Sequence, residues 1–126
     1  MYFLTVIGGC LSGIYAQDAR SVMSKITTGI KAGSAAELAQ HFSDNLELAV
    51  PGADKRYAKN QAQYVLKDSF AKYPVQSYQM QHQGNSGTNY FAIGQYKSAK
   101  CTFNTNVVLS KSGKTFSISE IHFEKQ

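Results

Sequence analysis

The chain has no tryptophan, only two cysteines and two prolines in 126 residues, and no run of like charge. Each scarcity removes a class of protein. Cysteines as far apart as Cys10 and Cys101 make neither a disulfide framework nor a CxxC metal or redox pair. Basic residues exceed acidic ones for a formal charge of +5, yet only Lys55 and Arg56 are adjacent, with Asp54 beside them. No stripe able to neutralise successive phosphates results, so nucleic acid is not an expected partner. No GxSxG elbow and no glycine-rich phosphate loop is present, and Cys101 has no adjacent activating residue. His41, His82 and His122 show no HxH or HxxxH spacing, so the local pattern implies no metal and no cofactor. A zinc site would have to be assembled by tertiary structure alone.

Charge is also missing from one region in particular. The first sixteen residues, MYFLTVIGGCLSGIYA, are uncharged and largely apolar, and Asp18, Arg20 and Lys25 follow at once. This is the pattern of a secretory leader, too short and too broken by glycine for a bilayer-spanning helix of about 20 residues. Cleavage after Ala16 leaves residues 17–126 as one domain, long enough to bury a core without metal or disulfide. The expected location is secreted or periplasmic. Ile7-Gly8-Gly9-Cys10 has the form of a bacterial lipobox, so membrane anchorage through a lipidated Cys10 stands as the alternative. A buried N-terminal strand or helix is a third reading, since an apolar run alone does not separate these. After cleavage Cys101 is the remaining thiol, expected to be buried on a strand.

Beyond the leader, periodicity defines the elements. Val22, Met23, Ile26 and Ile30 recur at helical spacing and Gly33 ends that helix. Ser34-Ala35-Ala36-Glu37 reads as a capping box opening a second short helix to about Phe42. Leu46, Leu48 and Val50 alternate with Glu47 and Ala49 in a strand that Pro51-Gly52 ends. After a polar loop from Ala53 to Arg56, a third helix spans Tyr57 to Tyr73 and stops before Pro74. Four strands follow, over Val75 to Gln83, Asn89 to Tyr96, Cys101 to Leu109 and Thr115 to Glu124. In the last, Phe116 and Ile118 share one parity while Ile121 and Phe123 share the other. A β-bulge near Ser119-Glu120 accounts for that shift and bends the sheet.

Helices on one side of a strongly bent, mostly antiparallel sheet define an α+β architecture with the order α-α-β-α-β-β-β-β. That order, with its bulged last strand, resembles the nuclear transport factor 2-like fold, the cystatin-like cone. The segments from Ile26 to Leu38, Leu46 to Gly52, Tyr57 to Ala62 and Leu66 to Phe70 are similar to small secreted bacterial proteins of the family called domain of unknown function 4783. His82-Gln83-Gly84, the strand from Tyr90 to Gly94 and the ending from Ile118 to Glu124 fit the same pattern. The resemblance spans nearly all of the chain after the leader and consists of packing and turn positions.

The resemblance implies where chemistry would sit. Enzymes of the wider fold, such as ketosteroid isomerase and scytalone dehydratase, place an acid or a His-Asp pair with tyrosines in the mouth of the cone. The matching candidates are Glu120 or His82 as general base, with Tyr78, Tyr90 and Tyr96 as hydroxyl donors to a developing oxyanion. A small apolar ligand would instead meet Tyr78, Met80, Tyr90 and Asn104. The polar row Gln79, Gln81 and Gln83 suits a wet outer face or a moderately polar interface. Two functions follow as expectations. The first is a non-catalytic secreted module that binds a small apolar ligand in the cone or forms a homodimer through the outer face of its sheet. The alternative is an isomerase- or dehydratase-like enzyme.

Overall fold

Helical periodicity, glycine caps and strand alternation translate directly into elements in the computed structural model, which describes residues 14–126. The leader through Ser12-Gly13, with the lipobox-like Ile7 to Cys10, lies outside the described residues. Helix α1 (Ile14–Ala32) buries Ala19, Met23, Ile26 and Ile30 along one stripe. Gly33 ends it at φ 63°: its amide donates to the Ile30 carbonyl, and Ser34 donates to that of Gly29. This is a Schellman closure, and it needs the left-handed residue that glycine supplies without strain. Helix α2 (Ala35–Ala39) starts on Ser34, whose hydroxyl accepts the Glu37 amide at 3.1 Å. The reciprocal half of the expected box is not made, because the Ser34 amide is already committed to closing α1. The helix is also shorter than expected, and Phe42 opens a strand instead.

That strand, β1 (Phe42–Val50), turns at Pro51-Gly52 into β2 (Ala53–Ala58), where a polar loop was expected. Residues 54 to 56 are charged and exposed, and only Tyr57 faces inward, so β2 shows almost no alternation. Charged side chains are how edge strands avoid pairing with other chains, and that is what hides β2. Helix α3 (Lys59–Lys72) then buries Ala62, Leu66, Ser69 and Phe70, and packs on α2 and β1. Strands β3 (Ser77–Ser86), β4 (Asn89–Lys97), β5 (Thr102–Ser112) and β6 (Thr115–Lys125) form an antiparallel meander. The sheet order is β2-β1-β6-β5-β4-β3, with β1 and β6 the one parallel pair. Among the described residues, no helix is long and apolar enough to cross a membrane.

Two bulges in the antiparallel meander set which of its side chains face the helices. Val108 pairs with Glu120 and Leu109 with Ile118, so Ser119 is the extra residue in β6, as the parity shift predicts. Its hydroxyl donates to the Val108 carbonyl and accepts from Ser110, at 3.3 Å and 2.8 Å. A second bulge was not expected. Met80 pairs with Gly94 and His82 with Ile93, leaving Gln81 unpaired in β3. Beyond it the parity of β3 reverses: His82 is exposed, while Gln83 is partly buried and accepts a 2.8 Å hydrogen bond from the buried Tyr90. Cys101, expected on a strand, is half-buried just ahead of β5.

Candidate functional site

The inner, helix-facing side of the sheet carries a cluster of packed aromatic rings. Tyr96 stands 4.8 Å from Phe103, 5.2 Å from Phe123 and 6.0 Å from Phe70, centroid to centroid, and its hydroxyl donates to the Tyr73 carbonyl. Burial, then the neighbouring Cys101 and Tyr73, push this hydroxyl above the ordinary tyrosine range, so it stays a neutral donor. The Tyr78 ring lies across Gly94: a Cβ there would fall 2.9 Å from the Tyr78 hydroxyl and 2.5 Å from the Gln79 carbonyl oxygen. Thr105 reaches the same hydroxyl at 3.5 Å, and burial raises its pKa while that hydrogen bond opposes the shift. The hydroxyls of Tyr78, Tyr90 and Tyr96 are thus each engaged by a protein group, Thr105, Gln83 and the Tyr73 carbonyl, and the three rings belong to the buried core.

The residues that sequence reasoning grouped at a cone mouth lie on two faces. Glu120 pairs across the sheet with Val108, outside the core, and the bulge at Gln81 turns His82 outward, 5.5 Å from the Phe91 ring. Tyr78, Tyr90 and Tyr96 are on the inner face. A base at Glu120 or His82 and a tyrosine oxyanion donor are therefore separated by the sheet. The candidate ligand set divides in the same way. Tyr78 and Tyr90 are buried, Met80 is half-buried, and Asn104 is exposed and accepts a 2.9 Å hydrogen bond from the Gln126 side chain.

The outer face carries the more distinctive arrangement. Strand register places Glu47, Glu120, Val108, Phe91 and Gly84 in one row across β1, β6, β5, β4 and β3. The next row is Ala49, His122, Asn106, Ile93 and His82. On the β4–β5 side a shallow groove runs among Phe91, Ile93, Val108, Asn106 and Glu120. Ile93 is 40 % exposed, one of two large hydrophobic side chains so open among the described residues. On the β1–β6 side, ligating atoms of Glu47, Glu120 and His122 all lie within 4.8 Å of one another. His122 Nε2 is 3.5 Å from Glu120 Oε1, and Arg56 approaches Glu47 at 3.9 Å. A cleft bordered by Asp54, His122 and Glu124 opens beside them. Asn106, opposite His122, has a solvent-inaccessible Oδ1 that meets no donor among the described residues.

Sequence reasoning missed this grouping because it sought metal-ligand spacing within single elements. Glu120-x-His122 on one strand was a partial signal, since alternate residues share a face. Glu47 joins them only through the parallel β1–β6 pairing.

A bent sheet with three helices on one face defines the class as nuclear transport factor 2-like. A solved protein of that fold and of unknown function, from Burkholderia xenovorans, shares 9 % identity over 90 % of this chain and 88 % of its own, with a TM-score of 0.68. The chain belongs to the family described as Domain of unknown function (DUF4783), which matches residues 23–124. A solved member from Bacteroides ovatus is 26 % identical over 81 % of this chain and 93 % of its own, with a TM-score of 0.76. Another, from Bacteroides uniformis, is 23 % identical over 82 % and 95 %, with a TM-score of 0.77. No curated protein matches the chain.

Proposed function

We propose that this protein is a non-catalytic module that works through the outer face of its sheet, by pairing with a second copy of itself. The observation that carries this reading is the contrast between the two faces. The inner face is packed with aromatic rings whose hydroxyls are bonded, which favours an interface over a carrier's hollow cone. Among the described residues no helix covers the outer face, which carries Phe91, Ile93 and Val108 at the centre of a polar surround. A polar rim around an apolar centre is the usual anatomy of an interface between separately folded proteins.

The size is right for a homodimer. Five strands spaced about 4.8 Å apart and rising about 3.3 Å per residue over some 10 residues present on the order of 800 Å². That matches one partner's share of a standard interface, roughly 800 Å². Two-fold pairing is the commonest oligomer and sets the same patch against itself, so Ile93 and Phe91 of each copy would cover those of the other. The uncharged leader supports action outside the cytoplasm, secreted or periplasmic, or lipid-anchored through Cys10. Intact mass of the protein from its own host distinguishes a chain beginning at Gln17 from one with lipidated Cys10.

Sedimentation equilibrium tests the pairing. The expected result is a dimer at micromolar concentration that Ile93→Glu converts to a folded monomer, while Tyr64→Glu, at the exposed tyrosine on α3, leaves it unchanged. A parent protein that stays monomeric up to about millimolar concentration, the weak end of specific association, overturns the proposal.

A further inference from the structure

We infer that Glu47, Glu120 and His122 form a binding site for a divalent cation of the zinc class on the outer face, at the junction of β1 and β6. Three features lead there. The first is spacing: ligands of a tetrahedral zinc with bonds of about 2.1 Å stand roughly 3.4 Å apart. His122 Nε2 and Glu120 Oε1 are 3.5 Å apart, and all three donor atoms lie within 4.8 Å of one another. Small side-chain rotations close that triangle on an ion.

The second feature is charge. Glu47 and Glu120 are directly opposed across paired strands, an arrangement that ordinarily destabilises a sheet. The chain has eight acidic residues against thirteen Lys and Arg, so chance favours a basic residue at either position. Arg56 approaches Glu47, but at 3.9 Å with both side chains more than half exposed it offsets little of the repulsion. A divalent ion between the carboxylates removes it. The third feature is Asn106. A metal-bound imidazole offers its second ring N–H to an outer acceptor, and Asn106, in register with His122, holds a buried oxygen without a donor. One imidazole with two carboxylates suits zinc, cobalt or manganese better than magnesium, which prefers an all-oxygen shell and retained water. Three protein ligands leave a position open toward the cleft beside Asp54 and Glu124. The site does not depend on dimerisation, since all three ligands come from one chain.

The test uses zinc alone with the chelator-treated protein. Calorimetric titration is expected to show one zinc per chain at micromolar Kd, weakened at least about tenfold in His122→Ala and in Glu120→Gln, and unchanged in His82→Ala and His41→Ala. Cobalt is expected to give visible d–d absorption that His122→Ala abolishes. Glu47→Gln supplies a readout that a merely structural role would not move. Without metal the variant melts higher than the parent, because the carboxylate repulsion is gone; with excess zinc the order reverses, because the parent gains more from binding. Absence of saturable binding below about 1 mM zinc, the weak limit of specific affinity, overturns the inference. So does binding that survives His122→Ala, which marks adventitious surface coordination.

Discussion

Gly94 offers the most direct test of whether the interior of the cone is closed. A Cβ at this position would stand 2.5 Å from the Gln79 carbonyl oxygen, 2.9 Å from the Tyr78 hydroxyl and 3.0 Å from Tyr78 Cζ. The backbone there is ordinary strand, so Gly94→Ala gains about 0.4–1 kcal/mol from a stiffer unfolded chain. Against that stands overpacking, which costs about 1–3 kcal/mol in a well-packed core. The closest atom belongs to the backbone of the neighbouring strand and cannot rotate away, so the cost belongs at the upper end. The net loss is on the order of 1–2 kcal/mol, or roughly 4–10 °C in Tm for a domain of this size. Gly84→Ala is the control. Its Cβ would meet the Phe91 ring at 3.7 Å, ordinary contact, so the entropic gain prevails and Tm rises by a few degrees, the reverse sign. Calorimetric scans of the two variants read the difference. If Gly94→Ala is as stable as the parent, Tyr78 does not lie across Gly94 and the cone has room for a ligand.

Two further outcomes bear on the same structure. Tyr96→Phe keeps the ring contacts with Phe70, Phe103 and Phe123 but strips the Tyr73 carbonyl of its donor, at a cost of about 1–2 kcal/mol. Urea denaturation reads this, and an unchanged midpoint means that water serves the carbonyl instead. His41 tests pH dependence: burial, then Lys25, hold its imidazole below the usual range, with Glu37 opposing. The folded state therefore prefers the neutral ring, so stability is complete above the unfolded pKa of about 6.5 and declines as pH falls through it toward the folded value. The Tm loss between about pH 8 and about pH 5 is expected to shrink in His41→Gln; an equal loss in parent and variant contradicts that cause.

Much of the scaffold is legible in local pattern. The buried stripe of α1, the Gly33 closure, the Ser34 cap and the Ser119 bulge each follow from residues a few positions apart. Strand β2 escaped because its outward residues are charged and only Tyr57 faces inward. The bulge at Gln81 escaped for a related reason. Gln79, Gln81, His82 and Gln83 are all polar, so a parity shift among them leaves no hydrophobic trace. That shift decides the fate of His82. Alternation from Tyr78 would carry it inward to the tyrosines, and one unpaired residue carries it out.

What the amino-acid order determined alone is therefore the three helices, five of the six strands, the α+β class and the family pattern, because caps, turns and periodicity are short-range properties. What the tertiary structure decided is which distant strands meet. The β1–β6 pairing joins residues more than seventy positions apart, and nothing in either strand's local pattern states that Glu47 will face Glu120. Strand register is settled by burying the inner faces of all six strands together. The outer face, with its opposed carboxylates, its histidine and its apolar groove, inherits its arrangement from that packing.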